Sequence, residues 1–106
     1  MTGSLDAVIA RIVSAVAPDR IILFGSRAQG TAAADSDYDL CIIKGNVEHR
    51  RNLERQIYRL LYGLGVAVDV VVETPERFMT MRENPFLIYH DIDRQGVVVY
   101  NQPEAS

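Results

Sequence analysis

Val66-Ala67-Val68-Asp69-Val70-Val71-Val72 constrains the fold of this chain more than any other segment. β-Branched side chains are stiff at χ1 and pack well on a pleated surface, so the run reads as a strand. It commits the chain to a sheet. Two more apolar runs read the same way: Ile21-Ile22-Leu23-Phe24 ahead of Gly25, and Asp37 to Ile43, ended by Lys44-Gly45-Asn46. Val97-Val98-Val99-Tyr100 is a fourth strand.

Between these runs the apolar period becomes helical. Leu5, Val8, Ile9, Ile12, Val13 and Val16 share one face, with Ser4 as N-cap and Pro18 as the stop. Leu53, Ile57, Leu60, Leu61 and Leu64 mark an amphipathic helix from about Glu48, closed by Gly63 and Gly65. Thr74-Pro75-Glu76 is a helix start, with Thr74 as cap and Pro75 in the first turn. Asn84-Pro85 predicts another start, running through Ile88 and Ile92 to Gly96. This order predicts an α/β (α+β) fold, a small mixed β-sheet with flanking helices. A single domain over 1–106 is expected, with a core from about 5 to 100 and a frayed tail over 101–106.

At 106 residues the chain buries roughly 65% of the surface its unfolded form exposes, enough for one core and no second lobe. A net charge of −3 argues against direct nucleic-acid binding, which favours clustered positive charge. Cys41 has no second cysteine to pair with, and within Leu40-Cys41-Ile42-Ile43 it reads as a small core residue. No apolar stretch approaches the roughly 18 residues needed to span a membrane. With no basic start and apolar block at the N-terminus, the cytoplasm is the expected compartment.

The chemistry gathers around three acids. Strand side chains alternate faces, so Asp37 and Asp39 point one way while Leu40 and Ile42 point to the buried side. Asp69 shares a face with Ala67 and Val71. If the two strands are neighbours, the three carboxylates converge. Such groups repel, and one would hold a proton unless a cation intervened. A divalent ion keeps all three ionised. Mg²⁺ favours a few carboxylates plus waters and phosphate oxygens. A pair of Mg²⁺ ions would clamp the attacking and leaving oxygens of a displacement at phosphorus. Taken singly, Asp37-Tyr38-Asp39 could be surface decoration, and Asp69 could pair with an arginine to offset the cost of burial among valines.

Phe24-Gly25-Ser26-Arg27-Ala28-Gln29-Gly30 follows a strand and starts a short helix at Ser26. Gly25 has no Cβ to bar a phosphate, the free N–H groups of a helix start suit an anion, and Ser26 adds a hydroxyl donor. The segment is neither a Walker loop, which would need a lysine at other spacing, nor a Gly-x-Gly-x-x-Gly fingerprint.

Gly25-Ser26, Gly30, Ser36-Asp37-Tyr38-Asp39-Leu40 and Asp69 together resemble the signature of the DNA polymerase β-type nucleotidyltransferase superfamily. Asn84-Pro85-Phe86 and the ending Asp93 to Tyr100 resemble its minimal nucleotidyltransferase (MNT) branch, and the likeness extends from about Ala7 to Tyr100. Members of that branch are often antitoxins paired with a helical HEPN-domain ribonuclease toxin, and some silence it by moving AMP from ATP onto a tyrosine. The resemblance implies a polymerase β-type fold, ATP as substrate, two Mg²⁺ ions and such a toxin as partner. It implies that Asp37 and Asp39 bridge both metals while Asp69 holds the catalytic metal and helps deprotonate the acceptor hydroxyl. Gly25, Ser26, Arg27, Gly30 and Ser36 would serve the nucleotide. Gln29 stands where the branch frequently has arginine, whereas Arg27 matches.

Two rivals are weighed against protein adenylylation: a non-catalytic antitoxin that only covers its partner, and a small-molecule adenylyltransferase. Relatives of the latter kind usually carry an added helical domain for the acceptor. Arg51, Arg55 and Arg59 form one helical stripe, either a solvated face or a docking surface for an acidic partner. Tyr58, Tyr62, Phe78, Met79 and Met81 could form an apolar patch or enter the core. His49 and His90 lack metal-ligand spacing and read as structural.

Overall fold

A computed structural model describes residues 4–34 and 36–103. Asp35, two residues before Asp37, and the end of the expected tail, 104–106, lie outside the described residues. The chain runs α1 (Leu5–Val16), β1 (Arg20–Phe24), α2 (Ser26–Gln29), β2 (Tyr38–Ile43), α3 (Arg50–Leu61), β3 (Val68–Glu73), α4 (Pro75–Met81), α5 (Ile88–Gln95) and β4 (Val97–Asn101). The four strands form one sheet in the order β3-β2-β1-β4. β2 and β3 pair parallel, and the other two pairings are antiparallel. This is the mixed sheet with flanking helices that the pattern predicts.

Both faces of the sheet are covered. Ile21, Leu23, Leu40, Ile42, Val70 and Val72 meet Val8, Ile12 and Val16 of α1 and Ile57 and Leu61 of α3. On the other face Ile22, Cys41 and Ile43 meet Phe78 of α4 and Ile92 of α5. Double coverage explains why β1 and β2 read as continuous apolar runs rather than alternating ones. Burial pushes the Cys41 thiol up to about 12, helped by the negative charge of Glu73, so it stays a protonated core residue.

Two of the expected caps form. Ser4 Oγ accepts from the Ala7 N–H at 3.2 Å, and Thr74 Oγ1 accepts from the Arg77 N–H at 3.3 Å. α1 ends with Ala17 at φ 51, its N–H bonding the Val13 carbonyl before Pro18. Asn84-Pro85 does not start a helix. Asn84 Oδ1 accepts from the Phe86 N–H at 2.9 Å, a local turn that competes with helix entry, and α5 begins only at Ile88. β4 extends through Asn101, and the Gln102 N–H bonds the Asp19 carbonyl at 2.8 Å. The chain therefore follows the sheet further than the expected frayed tail allows.

Glu73 is the largest departure from the sequence reading. It is fully buried at the end of β3. Oε2 accepts from Arg50 Nη1 at 2.7 Å and from the Tyr89 hydroxyl at 3.0 Å. Oε1 accepts from Arg77 Nε and from the Thr74 N–H, both at 3.0 Å. The carboxylate thus ties α3, α4 and α5 to β3, and four donors make its burial tolerable. Tyr89 is pushed up to about 12, by burial first and then by the hydrogen bond it gives Glu73.

Candidate active site

The parallel pairing of β2 and β3 sets Asp39 directly opposite Asp69. Residues in register on neighbouring strands share a face, so both carboxylates lie on the side of the sheet that α4 and α5 cover further along. Asp37 precedes β2 by one residue. The antiparallel register of β1 places Phe24 opposite Asp39, which brings the turn at Gly25 to the same end. β2 and β3 are thus the neighbours that the expected convergence of the acids requires.

Gly25 is required twice over. Its backbone sits at φ 73 and ψ −156, a region side chains avoid, and a Cβ there would overlap Asp39 Oδ2. Gly25 caps α2, its carbonyl accepting from the N–H groups of Ala28 and Gln29. Gly30 ends that helix at φ 75.

Arg27 and Ser36 form a clamp on the loop that delivers Asp37. Arg27 donates through Nε and Nη2 to the Ser36 carbonyl, at 3.2 and 2.8 Å, and through Nη2 to the Ala34 carbonyl at 3.1 Å. Its guanidinium lies 4.4 Å from the centre of the Tyr38 ring. Ser36 Oγ accepts from the Ala33 N–H at 2.9 Å, and the Tyr38 N–H bonds the Ala67 carbonyl at 2.9 Å. Gln29 Nε2 donates to Gln95 Oε1 at 2.7 Å, joining α2 to the end of α5. Sequence reasoning missed Gln95 and the aromatic seat of Arg27, since neither carries a local signature.

Asp69 is exposed, not buried among its valines, and no arginine pairs with it among the described residues. β3 begins only at Val68, so Asp69 sits at the open end of the strand. Asp39 is held above the usual carboxylate range, by burial first and then by repulsion from Asp69 and Asp37. Asp39 therefore feels both of the other acids. As the side chains stand, no three His, Cys, Asp or Glu among the described residues are gathered closely enough to hold an ion. The donor set is nonetheless of the kind Mg²⁺ takes: hard oxygens, mutually repelling, at the rim of a turn that can admit a phosphate.

The nucleotidyltransferase domain family matches residues 6–94 of this chain. The chain belongs to that family. Within this nucleotidyltransferase domain, a 72-residue stretch is 33% identical to MJ1305 of Methanocaldococcus jannaschii, provisionally named a protein adenylyltransferase. The match covers 63% of this chain and 49% of that protein, so the domain spans about half the length of this relative. The fold resembles a Sulfolobus solfataricus crystal structure provisionally named a nucleotidyltransferase, with a TM-score of 0.63 and 19% identity over 91% of this chain and 76% of that one. It also resembles a toxin–antitoxin structure solved with AMP-PNP, with a TM-score of 0.61 and 22% identity over 92% and 74% of the two chains. Likenesses at that identity concern the fold alone.

Proposed function

We propose that this domain transfers AMP from ATP, with Mg²⁺, to a tyrosine hydroxyl of a partner protein, a HEPN-type ribonuclease toxin, in the cytoplasm. The observation that carries the reading is Asp39 abreast of Asp69 beside a glycine-opened turn. The family match, the name of the archaeal relative and the toxin–antitoxin neighbour are consistent with it. No helix among the described residues is long and apolar enough to cross a membrane.

In this reading Asp37, Asp39 and Asp69 hold the Mg²⁺, two ions in all, and bound Mg²⁺ supplies charge stabilisation to the phosphates and the reacting oxygens. The backbone at Gly25 and the Ser26 hydroxyl receive the triphosphate, and Gly30 ends the short helix that presents them. Arg27 and Ser36 keep the loop that sets Asp37. Asp69, exposed at its strand end, takes the proton as the acceptor oxygen bonds to the α-phosphorus and pyrophosphate leaves. Positioning and electrostatics carry the rate.

The test is transfer of α-labelled ATP with Mg²⁺ in host-cell lysate, comparing the native chain with Asp37→Ala/Asp39→Ala. A labelled protein band that needs both acids is expected, and equal labelling by the variant sinks the mechanism. A second reading, an antitoxin that acts by covering its partner, is favoured by the exposure of Phe86 and Tyr62, at 94% and 89%. Stoichiometric inhibition of the partner without ATP would select it.

A further inference from the structure

We propose that the outward face of α3 docks the acceptor protein, and that the acceptor presents an acidic patch beside the hydroxyl it offers. The choice of a protein as occupant rests on the function proposed above. The geometry of the surface does not.

α3 lies along β3, the edge strand of the sheet. Tyr58 Oη accepts from the Val70 N–H at 2.9 Å, and Glu54 Oε2 accepts from the Val72 N–H at 3.1 Å. These bonds cap strand donors that would otherwise stand open at an edge. They also fix direction. Four residues further along α3 corresponds to two residues back along β3, so the helix runs antiparallel to the strand. Its last turn therefore lies level with Val68 and Asp69, at the end of the sheet that carries the acids.

Glu54 is the only carboxylate on α3, and it is turned toward β3. Arg51, Arg55 and Arg59, all exposed, make no ion pair among the described residues. At helical rise they form a stripe about 12 Å long that leads toward the end of the sheet where the acids lie. Tyr62, also exposed, follows the stripe at that end. A chain of net charge −3 thus presents a local positive face that runs toward the end of the sheet bearing the acids, on the face of the sheet opposite to them.

Guanidinium forks match carboxylates in paired hydrogen bonds, and tyrosine supplies amphipathic contact area at an interface. A nucleic acid on the same stripe would carry its phosphates toward the end of the sheet that bears Asp69, Asp39 and Asp37, whose negative charge disfavours them. An acidic protein patch can end before that point and leave a neutral hydroxyl to enter. The observations therefore favour protein carboxylates over a polyphosphate.

The test measures binding of fluorescein-labelled poly-L-glutamate by anisotropy at low salt. It compares the native chain with Arg51→Gln/Arg55→Gln/Arg59→Gln. Three exposed charge contacts at common strengths predict affinity at least about fivefold lower in the variant. An unchanged melting temperature would confirm that the variant folds. Equal affinities, no binding by the native chain, or tighter binding of polyuridylate of the same length would overturn the proposal. ATP affinity is measured on both proteins alongside. If neither binds ATP while polyglutamate still discriminates between them, the transfer reading falls and the acidic-partner surface stands.

Discussion

Asp69 and Glu73 lie four residues apart on β3 and face the same side of the sheet, yet the chain treats the two carboxylates in opposite ways. Glu73 is fully buried and receives donors from Arg50, Arg77, Tyr89 and the Thr74 backbone. Asp69 is exposed, and its strand neighbour is another acid, Asp39. At one end charge is neutralised and holds helices in place. At the other, like charges are held together by the fold against their repulsion. Only the second arrangement leaves electrostatic energy for a cation or ligand to relieve, which is why the functional reading rests on Asp69 and not on the fully partnered Glu73.

The contrast can be broken most severely at the Glu73 end. Arg50→Ala/Arg77→Ala leaves a buried carboxylate without its cations, and the loss should reach about 3–5 kcal/mol. Urea unfolding measures it. Glu73→Gln keeps the shape and leaves two arginines that water already reaches, so it should cost less. If the glutamine variant were the less stable of the two, Glu73 would be acting through packing rather than charge.

At the other end the sign should reverse. The folded state raises the Asp39 pKa, so it binds that proton more tightly than the unfolded chain does. The resulting stability is fully present below the ordinary carboxylate value of 3.8 and is lost as pH rises through the folded value. Asp39→Asn should therefore melt higher than the native chain at neutral pH without metal, and the difference should vanish in acid. Transfer of AMP should fall at least about a hundredfold in the same variant, as expected when a main electrostatic contributor is removed. Mg²⁺ should raise the native melting temperature and EDTA should reverse it, with little response from Asp39→Asn. A variant less stable at neutral pH would show that the acids do not strain the fold.

Most of this contrast was legible at the acid end and almost none at the other. Period two on Asp37 and Asp39, with valines flanking Asp69, placed three acids on one sheet. The burial expected for Asp69 was wrong because an unbroken apolar run conceals where its strand begins. Glu73 was missed because it stands between the run and the Thr74-Pro75 cap, where a residue reads as a boundary. Its one local signal is Arg77 four residues on, and Arg50 and Tyr89 arrive only through tertiary packing. Asn84-Pro85 misled because the same pair serves turns and helix starts alike. The close approach of Asp39 to Gly25 needs the antiparallel register of β1 and β2, which no local pattern encodes.

A finer change sharpens the comparison at the Arg27 clamp. Arg27 makes three hydrogen bonds to the loop before Asp37 and rests on Tyr38, so it governs where that acid stands. Arg27→Lys keeps the charge but loses the planar fork that spans the Ser36 and Ala34 carbonyls. If Arg27 positions Asp37, kcat should fall about tenfold, the equivalent of one or two partly buried hydrogen bonds, with the KM for ATP little changed. If it binds phosphate directly, the lysine should keep much of kcat, and the KM for ATP should rise in Arg27→Gln. Steady-state kinetics on both variants separates the two outcomes. The split matters because Nε and Nη2 are already committed to the loop. A cation held that way shapes the acidic end of the sheet without neutralising it.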